Sequence, residues 1–320
     1  MTTYLVTGGA GFIGSHLAET LVRRGDDVVV LDNLATGRLE NLKPAQAGPG
    51  RLEFQQGDVT DLEACRRAVA GVDYVLHQAA RPSVQRSIED PLATNQVNVV
   101  GGLNILWAAK EAGVKRVVSA SSSSVYGDRK DPTEPKREDM TPRPMSPYAV
   151  SKLAVEHYMA AFHKAYGLET VCLRYFNVFG PRQDPNSPYA AVVPKFIFLL
   201  LEGKRPLIYG DGRQSRDFTY VENVVQANLL ACTAPQAPGQ VFNVGSGRSY
   251  DLLTLLETLG RLLGVEPSPE FAPPRPGDVY ASLADLDKAR RLLGYQVMVD
   301  FEEGLARLVE LARDGRYLAE

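Results

Sequence analysis

The chain has 320 residues, 44% of them hydrophobic, which suits one large or two modest globular domains with a real core. A net charge of −3 gives no electrostatic case for nucleic acid or a membrane surface as partner. Its three cysteines, Cys65, Cys172 and Cys232, are scattered, so they suggest neither a disulfide framework nor a zinc knuckle and fit a reducing cytoplasm.

The N-terminal "MTTYLVTGGAGFIGSHL" has no basic leading region and runs straight into a folded pattern, so it does not read as a signal peptide. No apolar run reaches the roughly 18 residues needed to span a bilayer. In chain order, "TYLVT", "DVVVLD", "LEFQQGD", "YVLHQAA", "RVVSASS" and "TVCLRYFN" read as strands. They are continuous rather than alternating, as expected when both faces are buried. Between them the pattern predicts helices over Ile13–Arg24, Leu62–Ala70, roughly Leu92–Ala112 and Tyr148–Tyr166. Strand and helix in strict turn give an α/β class, a Rossmann-like doubly wound parallel sheet. After Asn177 the pattern loosens and proline and glycine rise, which suggests a smaller α/β substrate-binding region. "DFTYVENVVQANLLAC" and "QVFNVGSG" read as a helix and a strand that return to the first part. The expected division is residues 1–177 with 217–247, against 178–216 with 248–320.

"TGGAGFIG" places glycines at Gly8, Gly11 and Gly14 between a strand and a helix. Such glycines permit a tight turn and a close approach of the backbone to a pyrophosphate, and the helix start adds free N–H groups. Asp32 ends the next strand about 20 residues on, where a carboxylate bonds the ribose hydroxyls and repels a 2′-phosphate, favouring NAD over NADP. "GDV" at 57–59 and "HQAA" at 77–80 end strands on the same carboxyl edge, the edge where open parallel sheets bind ligands.

"SPYAVSK" reads as an N-cap, Ser146, then Pro147, then a helix from Tyr148. Residues i and i+4 share a helix face, so Tyr148 and Lys152 point at one spot. Such a pair is usually a core-edge ring beside an exposed amine, and a serine run such as "SASSSS" is usually a turn. Their order behind a dinucleotide loop favours chemistry. The four histidines lie on different elements without carboxylate clusters, so no metal site is expected.

Together, "TGGAGFIG", "NVVGGLNIL", "SSSSVYG", "YAVSK", "RYFNVFGPRQDP", "GDGRQSRDFTYVENV" and "PRPGD" resemble the extended short-chain dehydrogenase/reductases, and within them the nucleotide-sugar 4-epimerases. The likeness runs from Thr3 to about Tyr295. "SPYAAVVPK" and "QDPNSPY" look most like the branch acting on UDP-N-acetylhexosamines. The resemblance implies an NAD that stays bound, C4 oxidation to a 4-keto sugar, rotation of the ketose, and hydride return on the other face. Tyr148 would be the base, Lys152 would favour its phenolate, and Ser122 or Ser123 would relay the proton. The implied cofactor set adds Phe12, Ile13, Asn33, Asp58, Val59, Gln78, Ala79, Ala80, Asn98 and Tyr175. For the UDP-sugar, Asn177, Arg216 and Arg275 would hold the diphosphate and Asp278 the ribose. Val192, Val193 and Pro194 would line the uridine slot, and Ser282 would leave room for an N-acetyl group. The resemblance also implies a homodimer through a four-helix interface. Related 4,6-dehydratases carry Asp-Glu where Ser123-Ser124 stand, and decarboxylases carry Glu at the Ser124 position, so redox without elimination is favoured. A UDP-uronic acid 4-epimerase and a non-catalytic NAD-sensing protein are the alternatives.

Overall fold

The structure, a computed structural model, describes residues 2–128, 131, 134–185, 191–274 and 279–318. Seven strands form one parallel sheet: β1 (Thr3–Thr7), β2 (Asp27–Asp32), β3 (Leu52–Gln56), β4 (Tyr74–His77), β5 (Arg116–Ser122), β6 (Glu169–Tyr175) and β7 (Gln240–Val244). Their order is β7-β6-β5-β4-β1-β2-β3. The order reverses between β1 and β4, which opens a crevice at the carboxyl ends of those strands. Successive side chains point to opposite faces. Val6, Val30, Leu76, Val118 and Leu173 enter one core, while Leu5, Leu31, Val75, Val117 and Cys172 enter the other. Burial on both faces is why the strands read as continuous apolar runs.

The principal helices are α1 (Phe12–Arg23), α2 (Leu62–Ala68), α3 (Gly101–Glu111), α4 (Pro147–Tyr166), α5 (Val192–Leu201), α6 (Val221–Thr233), α7 (Leu252–Leu263) and α8 (Phe301–Arg313). Leu17 and Leu21 of α1 and Val224 and Ala227 of α6 pack on the first face. Cys65 of α2, Ile105 of α3 and Val155 and Met159 of α4 pack on the second. A third core gathers Phe196, Ile197, Phe218, Leu255, Leu259, Phe301 and Leu305. There Tyr250 stacks on Phe301 at 4.0 Å, and Phe301 on Phe218 at 5.5 Å.

Two elements differ from the sequence expectation. The helix expected over Leu92–Ala112 is not uniform: Pro91–Asn95 leads into a π turn at Gln96–Val100, and only then into α3. The run "TVCLRYFN" is not one strand. β6 stops at Tyr175, and Asn177–Phe179 pairs instead with Phe218–Tyr220. Phe179 joins the aromatic cluster of the third core, and its burial there draws the chain off the main sheet. The same pairing delays the helix read from "DFTYVENV", which starts at Val221.

Candidate active site

The glycine loop leaves β1 at Thr7 and enters α1 at Phe12. Gly8 has φ +66°, and a Cβ there would lie 2.8 Å from the backbone of Ala79. At Gly14 a Cβ would lie 2.2 Å from the Gly8 carbonyl oxygen. Only glycine lets the loop close against the end of β4 and the start of α1. Gly11 caps α1 without any side-chain hydrogen bond, so the helix starts with open N–H groups. Such an end favours a phosphate.

Asp32 is 7% exposed. Its Oδ2 accepts from Ala10 N–H at 3.0 Å and its Oδ1 from Leu34 N–H at 2.8 Å. Burial pushes its carboxyl above the usual range, and these two N–H groups only partly offset that. Asn33 donates to Asp58 at 2.6 Å. Burial acts to raise the Asp58 carboxyl, but the Thr60 N–H, the Asn33 amide and the Thr60 hydroxyl together hold it below its ordinary value.

These groups line a cleft of about 490 Å³. From the expected cofactor set the cleft holds Gly8, Gly11, Phe12, Ile13 and Gly14 at the loop, then Asp32, Asn33, Asp58 and Val59. Gln78, Ala79 and Ala80 follow at the end of β4, then Tyr148, Lys152 and Tyr175. Asn98 does not line it. Its buried side chain accepts from Arg81 N–H at 2.7 Å and donates to Ser151 Oγ at 2.9 Å, behind the wall. Thr36, Arg81 and Arg86 also line the cleft. Sequence reasoning missed them; Thr36 and Arg81 follow closely on the carboxyl ends of β2 and β4, whereas Arg86, on the short helix Val84–Glu89, carried no such signal. A groove with a carboxylate near the loop, open helix N–H groups and a Tyr/Lys couple fits NAD.

Ser146 caps α4, accepting from Ala149 N–H at 3.2 Å, and Pro147 takes the first helical position. The cap fixes where Tyr148 and Lys152 emerge. Lys152 Nζ donates to the Ala120 carbonyl at 2.9 Å and sits 5.9 Å from the Tyr148 ring centre. Burial lowers the Lys152 amine to about 8, against the raising effect of Cys172 and Glu156. Burial also raises the Tyr148 hydroxyl, and a hydrogen bond with Ser122 works the other way. Of the two candidate serines, Ser122 is the one whose hydroxyl acts on the Tyr148 phenol in this way. The Ser122 hydroxyl also accepts from Ser124 Oγ at 2.9 Å. Ser121, not Ser122 or Ser123, lines the cleft. The Tyr175 hydroxyl donates to Gln78 at 3.1 Å and accepts from Asn228 at 2.8 Å, which locks its ring.

Two residues beyond Tyr175, Asn177 lines a second cleft of about 240 Å³. Val192, Val193 and Arg216 line it too, with Lys195, Tyr209 and Gln214, which sequence reasoning missed. Pro194 is buried in α5 and is not part of that lining. The Arg216 guanidinium donates to the Ser215 carbonyl at 2.9 Å and the Tyr280 carbonyl at 3.0 Å. Ser282 is outside the lining but donates to Asn177 Oδ1 at 3.4 Å. Arg275 and Asp278 lie outside the described residues. Burial lowers His16 and His77 to about 3, so both are neutral at physiological pH. Among the described residues no group of three or more His, Cys, Asp or Glu could hold a metal ion. Among them, too, no helix is long and apolar enough to cross a membrane.

Comparison with known proteins places this geometry. Residues 4–245 match the NAD dependent epimerase/dehydratase family. The chain is 42% identical over 312 residues to the UDP-glucose 4-epimerase of Mycolicibacterium smegmatis, covering 97% of this chain and 98% of that one. The solved UDP-N-acetylglucosamine 4-epimerase of Methanobrevibacter ruminantium M1, in complex with UDP-N-acetylmuramic acid, superimposes with a TM-score of 0.92 at 40% identity. That match covers 98% of this chain and 99% of the other. The UDP-glucose 4-epimerase of Thermus thermophilus, complexed with NAD, gives 0.88 at 40% identity with the same coverage. The chain belongs to the NAD-dependent epimerase/dehydratase family, among its UDP-sugar 4-epimerases.

Proposed function

We propose that this chain interconverts UDP-N-acetylglucosamine and UDP-N-acetylgalactosamine, and UDP-glucose and UDP-galactose as a second pair. The observation that carries the reading is the Tyr148–Lys152 couple on one face of α4, with the Lys152 amine anchored on the Ala120 carbonyl 5.9 Å from the Tyr148 ring centre. NAD, when bound, supplies a reversible hydride acceptor for C4 of the sugar. Gly8, Gly11, Phe12, Ile13 and Gly14 would hold its pyrophosphate, and Asp32 its adenosine ribose.

Tyr148, as phenolate, takes the proton from the sugar 4-hydroxyl. A free phenol titrates near pH 10, so the anion needs help at neutral pH. The buried Lys152 ammonium, held by the Ala120 carbonyl, supplies it. Ser122 orients the reacting oxygen and shares the proton. Arg216 and Asn177, with Arg275, hold the diphosphate while the ketose turns. An arginine fork suits phosphate because it stays charged and pairs two oxygens. The small Ser282 beside Asn177 leaves space for a substituent at C2.

Residues 1–177 with 217–247 form the NAD-binding part in this reading, and 178–216 with 248–320 the nucleotide-sugar part. Supporting the first is the seating of β7 beside β6 in the main sheet. The protein works as a homodimer in the cytoplasm. Leu92 is 82% exposed and Tyr166 52%, on the two helical segments that would form a four-helix interface. Side-by-side turnover of UDP-N-acetylglucosamine, UDP-glucose and UDP-glucuronate tests the substrate, and preference for the uronate would overturn it. Tyr148→Phe keeps the ring and removes the acceptor, so turnover falls by about 10²–10⁴-fold with folding intact. Turnover near wild type would refute the mechanism.

A further inference from the structure

One turn beyond Lys152 on the same face of α4, Glu156 is a buried carboxylate, 5% exposed. Arg174 of β6 grips it through two parallel bonds, Nε to Oε1 at 2.8 Å and NH2 to Oε2 at 2.7 Å. Ser121 of β5 donates to the same Oε1 at 2.5 Å. Arg174 in turn lies 4.6 Å over the Tyr126 ring, and the Tyr126 hydroxyl donates to Asn243 of β7 at 2.7 Å. One carboxylate therefore ties α4 to β5 and β6, and through Tyr126 reaches β7. It does so directly below the Tyr148–Lys152 couple and beside the strand end that carries Ser122.

We propose that the Glu156–Arg174 ion pair positions Tyr148, Lys152 and Ser122 relative to one another, and that the Glu156 carboxylate keeps Lys152 charged. This rests on the reading of Tyr148 as the base. A hydrophobic pair of similar volume would fill the same space at no loss of stability, because buried ion pairs are costly to desolvate. A packing role alone therefore does not account for a charged pair here. Its placement i, i+4 from Lys152 does, since residues at that spacing are neighbours on a helix.

The surroundings leave few competing charges. Cys172 of β6 faces the pair, and burial holds its thiol well above the usual range, hence neutral. His77 of β4 faces Lys152 and is neutral. Burial raises the Tyr126 phenol, also neutral. Glu138 acts on Tyr126, and Lys288, whose amine is lowered by burial, acts on both Glu138 and Arg174. The charges nearest the couple are Glu156, Arg174, Lys152 and, in its working form, Tyr148, with Lys288 and Glu138 acting on them through Arg174 and Tyr126.

Removing a buried negative charge makes each nearby proton easier to lose. Glu156→Gln is therefore expected to move both limbs of the turnover–pH profile to lower pH, by about one unit at this separation. The double variant Glu156→Gln/Arg174→Met avoids stranding the guanidinium and is expected to fold; because the cation leaves with the anion, and lies farther from Lys152 along the chain of contacts, it is expected to show the same direction by a smaller amount. An independent readout is the phenolate absorbance of Tyr148, titrated as the difference between each protein and the same protein carrying Tyr148→Phe. Its midpoint is expected to fall with the profile. A purely structural pair would lower turnover at every pH and leave limbs and midpoint where wild type has them. That result in Glu156→Gln, with the double variant showing that the fold tolerates loss of the pair, overturns the proposal. If Tyr148→Phe itself turned over normally, the base assignment would fail instead, so the two failures are told apart.

Discussion

Asp32→Asn is the most informative single change at the cofactor cleft. In the structure both carboxylate oxygens already accept backbone N–H groups, from Ala10 and from Leu34. An amide has one oxygen and one NH₂. Whichever way the introduced amide turns, one backbone donor faces another donor and is left unsatisfied, at a cost of about 1–3 kcal/mol. The substitution also removes one charged acceptor for a ribose hydroxyl, worth about 1.5–3 kcal/mol. NAD affinity is expected to drop by about ten- to a hundredfold, while NADP affinity holds or rises because the repelling charge is gone. Calorimetric titration of the stripped protein with NAD and with NADP measures both. An NAD affinity within threefold of wild type, with the preference over NADP unchanged, would refute this account of Asp32. The pH dependence has a defined sign. Burial holds the Asp32 carboxyl above the usual range, so protonation and the loss of NAD affinity begin at a higher pH than for an exposed aspartate.

Three further outcomes are expected. Lys152, lowered to about 8, is charged below that pH and neutral above it, so turnover falls as pH rises through about 8; a limb that waited for about pH 10, where an ordinary lysine titrates, would overturn the lowered value. Ser282→Tyr places a ring where the serine hydroxyl now meets Asn177, so N-acetylhexosamine turnover collapses while UDP-glucose turnover survives; equal loss on both substrates would mean general damage. His77 is 5% exposed and lowered from 6.5 to about 3, so its stabilising effect is complete above pH 6.5 and is lost as pH falls toward 3. By pH 5 that loss is about 2 kcal/mol, which urea unfolding of wild type and His77→Gln at pH 7 and pH 5 would resolve, and equal pH slopes for the two would count against it.

Much of the site was legible in the sequence because it is written locally. The loop from Gly8 to Gly14 states a backbone geometry that other residues cannot adopt there. The four-residue spacing of Tyr148 and Lys152 becomes a shared face once Ser146 and Pro147 fix the start of the helix. Continuous apolar strands separated by helices imply a parallel sheet buried on both faces, and Asp32 follows from the end of the second strand.

Other features exist only once distant segments meet. Serine spacing alone left Ser122 and Ser123 equivalent, and only the packing of the turn after β5 against α4 sets them apart, Ser122 being the one whose hydroxyl acts on the Tyr148 phenol. Asn98 carries a motif that resembles a cofactor contact, yet Arg81 and Ser151 hold it behind the wall. Arg216 reaches the Tyr280 carbonyl across 64 residues of sequence, and Glu156 meets Arg174 from a helix to a neighbouring strand. The physical reason is range. Backbone conformation and helix faces are set by a few neighbouring residues, whereas a buried polar side chain takes whichever partner the assembled layers bring within about 3 Å.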